Sequence, residues 1–515
     1  MNTHAYIGPT ILAMFAAIPA SAQLAAQPIV ETNEAVAPAN VFQQSPRPAL
    51  HSTAIADAFA AGPDTVLPAL GDNDFVGNLT DGLRLQNGRV YEWLAGSDLD
   101  GTWHDLPDGS LLWTYSIASP NAAALRVRFD ANTHARGTQL VCFAGNDPTE
   151  SVGPYRRASQ PTDLPIWSSR VHGNELRIEW LVPAELAATG KYGSVQITGV
   201  LQIFPDPPVI DRGGACRIDV TCHPEWNTTA RSVAQYDFVD GGSGFVCSGA
   251  MITRSPTDDF SPLFLTAAHC IETQSNANSM DIFWFFQTSS CGAASPGRNS
   301  ATSTQGALIL KRDEDSDTCL LGLPIDDIPP GITFAGWSSA QAPDPTNATL
   351  IHHPLGMRKS WSTGELLGIE DVSQCFTTAS DTYDYELFNG GQDGGSSGAP
   401  VFDNSAHRIR AVATCSTTDN CDPTEDTGEG SLHHGFPIHS PYLIAQLDVW
   451  VQNTYFGGET GSSTQPFNTL IEGWYAVRGG GTLHLRAGAP YPAMNFIGAR
   501  GMTLTAENGI VRIGG

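Results

Sequence analysis

The chain has few charged residues, and positive charge is the scarcer sign. Of its 515 residues 15% are charged, with 26 Lys and Arg against 53 Asp and Glu, which gives a net charge of −27. This acidity disfavours binding to nucleic acid or to anionic lipid, because their phosphates repel a negative surface. A long helical pattern is also missing, whereas Gly (52) and Pro (35) are abundant. The composition therefore favours a β-rich, turn-dense fold.

Long hydrophobic runs and Cys-x-x-Cys pairs are absent as well. The apolar run Ile11–Ile18 is too short to span a bilayer, and with Ala20-Ser-Ala22 behind it the run is typical of a signal peptide cleaved near Ala22. A buried strand or helix is the alternative for this run. Ten cysteines without a Cys-x-x-Cys pair favour disulfides over zinc. We expect a secreted protein (extracellular or periplasmic) with no membrane span, metal or other cofactor.

The chain divides by composition. Segments such as Leu111–Ile117 and Glu175–Leu181 alternate apolar and polar residues between turns, which predicts a β-sandwich. Short strands near the C-terminus, such as Thr482–Gly488, are typical of β-helix rungs too few to stand alone, so we expect them to pack on a neighbouring unit. The expected boundaries are 1–22 for the signal peptide, 23–65 for a disordered leader or linker, 66–207 for the sandwich, 213–455 for a cysteine-rich domain and 456–515 for a linker and C-terminal segment.

Gly390–Pro400, with the sequence GGQDGGSSGAP, admits two interpretations. A run of Gly and Ser is typical of a flexible linker. The same glycines would also let a backbone adopt angles that other residues resist, so that amides could face an anion beside an exposed hydroxyl. The rest of the chain favours the second interpretation.

A histidine and an aspartate precede this glycine-rich segment. Phe264–Cys270 is an apolar strand that ends in His269, and Cys247 could clamp Cys270 to hold the ring as a general base requires. Asp317 enters an apolar run, where an unpaired carboxylate is costly. The order His269, Asp317, Ser397 is that of a general base, the carboxylate that orients it, and a nucleophile.

Residues 213–455 resemble the chymotrypsin-fold serine proteases, and most of all the bacterial lysyl endopeptidase branch. The motifs that carry the resemblance are Gly214–Cys222, Leu265–Cys270, Phe334–Trp337, Ile351–Pro354 and Gly395–Pro400. It implies an all-β protein with a chymotrypsin-like double β-barrel protease domain, a β-sandwich pro-region before it and a short β-helix-like segment after it. The implied activity is that of a secreted serine endopeptidase that acts on proteins or peptides. Its own pro-region would serve as an intramolecular inhibitor or chaperone.

The resemblance also assigns site residues. His269, Asp317 and Ser397 would be catalytic, and the amides of Gly395 and Ser397 would form the oxyanion hole. Ser396 stands where many trypsin-like enzymes carry the aspartate that pairs with a new N-terminus, so we expect activation by removal of 23–212, with Arg212–Gly213 as one candidate junction. The implied disulfides are Cys216–Cys421, Cys222–Cys291 and Cys247–Cys270, a fourth is expected between Cys375 and Cys415, and Cys142 and Cys319 remain as buried thiols.

The substrate pocket departs from the lysyl pattern. Aligned with the family, Leu432 occupies the position of the acidic residue that would bind lysine, so we expect basic residues not to be preferred. Asp393 could rescue basic recognition, and His433 or His434 could favour glutamate. The other implied pocket residues are Gly391, Gln392, Ser416 and Thr418.

Two other classes of function remain open. The first is a binding protein or adhesin on a protease-like scaffold, in which catalysis is dispensable. The second is a serine esterase on another fold, although the order Ser, acid, His would then be usual. Replacement of Ser397 separates the first of these from a protease.

Overall fold

The structure is a computed structural model. The residues that it describes are 28–38, 42, 62–71, 74, 78–80, 84–130, 133–145, 147, 149–155, 165–205, 217–297, 301–325, 328–370, 379–416, 426–492 and 501–514. The expected signal peptide, the Arg212–Gly213 junction and four site residues (Cys216, Cys375, Thr418 and Cys421) lie outside these ranges. No helix within them is long and apolar enough to cross a membrane.

The N-terminal unit is built of two sheets that pack on a shared apolar core. One sheet has the strand order β2-β6-β12-β8-β9, and the other contains β10-β7-β13-β4. Alternating residues such as Trp113, Ile117, Ile178 and Val200 are fully buried between the two sheets, as the period-2 pattern predicts. The elements are β1 (Ala35–Val36), β2 (Thr65–Val66), β3 (Asn78–Thr80), β4 (Arg84–Gly96), β5 (Thr102–Asp105), β6 (Leu111–Ala118), β7 (Ala124–Phe129), β8 (Gln139–Ala144), β9 (Ser151–Tyr155), β10 (Ile166–Trp167), β11 (Val171–His172), β12 (Glu175–Val182), α1 (Ala184–Ala187) and β13 (Gln196–Ile203).

Two barrel-like sheets follow. The first has the order β20-β21-β17-β16-β15-β18-β19, and in the second a ring β25-β24-β27-β28-β29-β26 closes through a β25–β26 pairing. This confirms the predicted all-β double barrel. The elements are β14 (Ile218–Asp219), β15 (Val233–Asp240), β16 (Ser243–Ile252), β17 (Leu263–Ala267), α2 (Gln274–Asn278), β18 (Asp281–Trp284), β19 (Thr302–Gln305), β20 (Leu308–Asp313), β21 (Thr318–Gly322), β22 (Thr333–Phe334), β23 (Gly336–Trp337), β24 (Thr346–His352), β25 (Ser360–Glu370), β26 (Thr382–Asn389), β27 (Pro400–Asp403), β28 (Arg408–Ser416), β29 (Asp426–Ser431) and α3 (Leu432–Leu443).

The N-terminal unit is continuous with the first barrel. Strand β4 pairs antiparallel with β16, with Leu85 opposite Val246 and Gln86 opposite Phe245, so one 13-stranded sheet runs through both units. The two units, which the sequence analysis places at 66–207 and 213–455, are therefore joined by one continuous sheet.

The expected disorder of the leader is wrong for residues 28–38. The backbone amide of Thr32 donates to the Trp337 carbonyl at 2.9 Å, and Ala35 pairs with Phe334 in a short antiparallel bridge between β1 and β22. Phe42 is buried and stacks on Phe334. A few apolar side chains and one strand pairing are enough to fix a segment whose composition suggests disorder.

The C-terminal segment packs on the barrels, as its shortness predicts. Strands β30 (Gln446–Val451), β31 (Val477–Arg486) and β32 (Thr503–Glu507) form a parallel sheet, and α4 (Leu470–Ala476) lies against it. Trp474 and Leu483 belong to the same core cluster as Leu265 of the first barrel. The Tyr475 hydroxyl donates to the Leu323 carbonyl at 2.8 Å.

Candidate active site

His269 stands just beyond the end of β17, a strand that is buried throughout. The strand pairs with β16 on one side and β21 on the other. A disulfide between Cys247 on β16 and Cys270 fixes the residue next to the histidine. The apolar strand and the cross-link therefore hold the imidazole in one place, with its side chain 10% exposed.

Asp317 accepts hydrogen bonds from His269 and from a residue that the sequence analysis missed. Its Oδ1 lies 2.8 Å from the His269 backbone nitrogen and its Oδ2 lies 2.8 Å from His269 Nδ1. Thr414 Oγ1 donates to the same Oδ2 at 2.7 Å. Because a carboxylate only accepts, the ring carries its proton on Nδ1 and presents a lone pair on Nε2.

Asp317 also has an unusual backbone. Its φ is 48°, in the left-handed region that residues with a side chain seldom occupy. Such conformations occur where the surroundings over-determine them, often at functional sites. The hydrogen bond from the Ala268 amide to the Asp317 carbonyl, at 3.1 Å, ties this turn to the histidine strand.

The glycine-rich segment is a packed loop and not a linker. Ser397 is 6% exposed, and its carbonyl accepts from the Ser248 amide at 2.8 Å. A Cβ on Gly398 would lie 2.1 Å from Thr266 Oγ1 and 2.8 Å from the Ala267 nitrogen. Only glycine allows the loop to approach the histidine strand this closely.

Gly395 has the geometry expected of an anion-facing amide. Its φ is +91°, and its carbonyl accepts from Ser248 Oγ at 2.8 Å. Within the described part of the chain its amide donates to no protein acceptor. The carbonyl is therefore anchored while the N–H remains available.

Polar contacts hold the rest of this loop. The Gly391 amide donates to Ser362 Oγ at 3.1 Å, and Gln392 Nε2 donates to the Cys415 carbonyl at 3.0 Å. Ser396 Oγ lies 2.7 Å from His352 Nδ1. Of the expected pocket residues, Ser416 ends β28 beside this loop, whereas Thr418 lies outside the described ranges.

The placement of Leu432 in the pocket is wrong. Leu432 begins α3 and is fully buried in a core cluster with Trp337 and Phe436, because the helix turns its first apolar residue inward. The residue beside Gln392 is Glu429, on β29 opposite Ala413 of β28. One signal of it is visible in the sequence, an acidic residue between Gly428 and Gly430.

Glu429 is a buried carboxyl with an unused acceptor. Its Oε1 accepts from Thr427 Oγ1 at 2.8 Å, whereas none of the described residues forms a hydrogen bond with its Oε2. Burial raises the pKa of Glu429 well above its usual range, and hydrogen bonds from Thr427 and the nearby Gln392 lower it in part. Burial thus favours the neutral acid, and a cation that entered here would lower the pKa again and favour the carboxylate.

The other rescue candidates are occupied. Asp393 pairs with Arg217, whose Nε and Nη2 lie 3.1 and 3.0 Å from its Oδ2. His433 Nδ1 lies 2.7 Å from the Ser339 carbonyl, and His434 Nδ1 lies 3.2 Å from Ser431 Oγ. Among the described residues, no group of three or more His, Cys, Asp or Glu side chains could hold a metal ion.

Several cysteine predictions are confirmed. The Cys222–Cys291 and Cys247–Cys270 bridges are present, and Cys142 and Cys319 are buried free thiols. Burial raises the pKa of the Cys319 thiol to about 12, which keeps it unreactive. Cys415 is disulfide-bonded, and its partner lies outside the described ranges, as do Cys216, Cys375 and Cys421.

The N-terminal unit reaches this site. Leu85 of β4 is fully buried, and a Cβ on Gly395 would lie 3.4 Å from Leu85 Cδ2. Polar groups extend the contact, since Asn87 Nδ2 donates to Asp237 Oδ1 at 2.9 Å and the Arg170 amide donates to Asp281 Oδ2 at 2.8 Å.

Comparisons with known proteins agree with these motifs. Residues 210–427 match the family model described as lysyl endopeptidase, C-terminal domain. A lysyl endopeptidase of Pseudomonas aeruginosa is 32% identical over 286 residues, which cover 52% of this chain and 60% of that protein. The chain therefore spans less than two thirds of the length of this relative.

Two solved structures are more remote. The active form of the Rv3671c protease from M. tuberculosis is 16% identical with a TM-score of 0.30, over 46% of this chain and 91% of that chain. The serine endoprotease from Yersinia pestis is 12% identical with a TM-score of 0.29, over 42% of this chain and 65% of that chain. Similarities this low do not indicate a shared role. The motifs and the family match show that residues 210–427 are related to the bacterial lysyl endopeptidase-like serine proteases.

Proposed function

We propose that the protein is a serine endopeptidase in which His269, Asp317 and Ser397 form the catalytic triad. The observation that carries the proposal is the 2.8 Å contact between His269 Nδ1 and Asp317 Oδ2, beside a loop that seats Ser397 on the histidine strand. Ser397 Oγ attacks the scissile carbonyl while His269 Nε2 takes its proton and then gives it to the leaving amine. Water hydrolyses the resulting acyl-enzyme by the same proton route.

The amides of Gly395 and Ser397 form the oxyanion hole in this proposal. Charge develops on the carbonyl oxygen during attack, and fixed N–H donors stabilise it without reorganisation. The positive φ of Gly395 and the anchoring of its carbonyl by Ser248 support this role.

A serine replacement tests the activity. Ser397→Ala should lower kcat for peptide hydrolysis on the order of a million-fold and abolish labelling by a fluorophosphonate. Ser405→Ala, which removes an exposed serine bound to Asp403, is the matched control and should retain both. If Ser397→Ala kept every measurable activity, the binding-protein alternative would replace the protease.

We also propose that the pocket, lined by Gly391, Gln392 and Ser416, receives a basic residue before the cut bond. Glu429 supports this against the expectation, drawn from Leu432, that basic residues are not preferred, because an ammonium or guanidinium group could bind its Oε2. The lysyl endopeptidase relative points to the same class of side chain.

Cleavage-site mapping on a denatured protein mixture tests the pocket. The wild type should cut after Lys or Arg, and Glu429→Gln should lose about 10–1,000-fold in kcat/KM for those sites, since the charge partner of a buried cation is removed. Cleavage chiefly after small apolar residues would refute the basic preference and leave the triad untouched.

We also propose that the protein is made as a precursor. The chain would be exported with cleavage near Ala22 and secreted with its N-terminal unit as a pro-region that inhibits the site. Leu85, packed against Gly395, supports the inhibition. N-terminal sequencing of the secreted form would locate the processing site.

A further inference from the structure

The turn that carries the oxyanion amides lacks the usual charged anchor at Ser396. The hydroxyl there is held by neutral contacts, with His352 Nδ1 at 2.7 Å and the Asp393 amide at 3.3 Å. His352 is fully buried, and its burial lowers its pKa to about 3, so the ring is neutral at physiological pH. A hydroxyl and a neutral imidazole cannot bind an N-terminal ammonium as a carboxylate does.

A carboxylate does occur three residues earlier in the same turn. Arg217 donates from both Nε and Nη2 to Asp393 Oδ2, at 3.1 and 3.0 Å, and the two side chains are only 9% and 4% exposed. The Ser396 amide donates to the Asp393 carbonyl at 2.9 Å, which closes the turn over Gly395. Fixing Asp393 therefore fixes the direction of the Gly395 amide.

We propose that Arg217 is a positioning residue: an internal cation that holds the Asp393–Ser397 turn, and with it the oxyanion amides, in place of an N-terminal ammonium. The inference rests on the proposed protease function. A guanidinium stays charged at every accessible pH and offers several donors in a rigid plane. Pairing also favours this arrangement strongly, because an unpaired carboxylate buried at Asp393 would be costly.

The consequence is a site that is formed before any cleavage. In this protein, cutting the chain would remove an obstruction and would not build the oxyanion hole. The N-terminal unit, with Leu85 beside Gly395, is the obstruction.

Four variants of the secreted protein test the role of Arg217. Arg217→Met and Asp393→Asn should each lower kcat about 10²–10³-fold, the usual cost of losing an oxyanion donor, with KM within about threefold of wild type. The double variant should be no worse than either single one, because both remove the same interaction. Arg217→Lys should recover part of kcat. The matched control is Arg410→Met, which removes a similarly buried ion pair with Asp403 at 2.8 Å away from this turn and should leave kcat unchanged.

The outcomes separate this inference from the proposed function. Thermal melting of each variant shows whether a loss is merely structural. If Arg410→Met lowered kcat as much as Arg217→Met at a similar loss of melting temperature, the role of Arg217 would be overturned. A wild-type kcat in Arg217→Met would overturn it too. If Arg217→Met is not secreted, Asp393→Asn carries the same expectation. A wild type that neither reacts with a fluorophosphonate nor cleaves peptides would instead sink the protease proposal itself.

Discussion

At the residue scale, several polar contacts of the site meet at the Asp317 carboxylate. It accepts from the backbone and ring of His269 and from Thr414 Oγ1. Two donors converge on Oδ2, so the position of the ring depends on a residue from the second barrel as well as on the first. Thr414 is thus the contact through which the second barrel helps to hold the His269 ring.

Thr414→Val tests this contact. The change keeps the shape of the side chain and removes the hydrogen bond to the charged Asp317, a loss of about 1.5–3 kcal/mol, so kcat should fall about 10–100-fold. It also removes the acceptor of the Gly430 amide, at 3.0 Å, which lowers stability. Asp317→Asn, which reverses the ring tautomer, should fall about 10⁴-fold. Steady-state kinetics on a peptide substrate measure both.

The control for Thr414→Val is Thr349→Val. Thr349 is equally buried and its hydroxyl donates to Asn404 Oδ1 at 2.8 Å, far from the base. Thr349→Val should retain the wild-type kcat while its free energy of unfolding changes about as much as that of Thr414→Val. If Thr414→Val also kept the wild-type kcat, the ring would not depend on this hydroxyl.

Single residues were predictable where a short motif carries the chemistry. His269 follows an apolar strand and stands beside a cysteine. Asp317 enters an apolar run, where an unpaired carboxylate is costly. Both residues were therefore predictable from the sequence. Thr414 and Glu429 were missed because their neighbours are set by the register of β28 against β29, which no local pattern reveals. The Leu432 alignment was wrong for the same reason.

At the element scale, strand β4 occupies the edge of β16. Extended peptides commonly bind proteases and other domains by adding a strand to such an edge. Here Leu85 lies opposite Val246, one residue before the bridged Cys247, and packs against Gly395. A peptide substrate would compete with β4 for this edge.

We expect Leu85→Glu to increase peptide cleavage by the unprocessed chain. A carboxylate placed in this buried contact is costly and should loosen β4 from the site, so the rate should rise about tenfold or more. Leu94→Glu, at an exposed position of the same strand (77% exposed), is the matched control and should leave the rate unchanged. Intact mass during the assay establishes that the chain is uncut. Equal rates for the two variants would mean that β4 does not inhibit.

The element scale also shows what composition cannot predict. The alternation in 111–117 and 175–181 correctly indicated strands. The ordered leader and the β4–β16 pairing were not foreseeable, because both join segments more than a hundred residues apart and depend on the finished barrels. Long-range pairing leaves little trace in a local pattern.

At the scale of the whole molecule, buried charges link the units. Asp237 and Asp281 of the first barrel meet Arg170 of the N-terminal unit. Arg254 donates to the Tyr442 carbonyl at 2.8 Å and the Ala476 carbonyl at 2.5 Å, which ties the C-terminal segment to the barrels. With shared cores as well, we expect the units to lose structure together and not one by one.

Two buried histidines make the free energy of unfolding of the whole molecule depend on pH. His352 and His439 are fully buried, and burial lowers the pKa of each to about 3. In the unfolded chain each has a pKa of about 6.5. Between these values the unfolded state binds more protons, so the stability present above pH 6.5 is lost as the pH falls toward 3. Each histidine contributes a slope of about 1.4 kcal/mol per pH unit.

His439→Leu removes the pH dependence of stability that comes from one of these histidines and leaves the Gly390–Pro400 loop unchanged. His439 Nε2 lies 2.8 Å from Thr318 Oγ1, and its Nδ1 forms no hydrogen bond with any described residue, so a leucine would leave few polar groups unpaired. In a Ser397→Ala background that prevents autolysis, guanidinium unfolding should show the parent losing about 2–3 kcal/mol more than the variant between pH 7 and 4.5. The two stability curves should run parallel above pH 7, where neither state of the parent is protonated. Curves that stay parallel down to pH 4.5 would show that His439 is not held neutral, and the acid sensitivity would then have to come from the carboxylates alone.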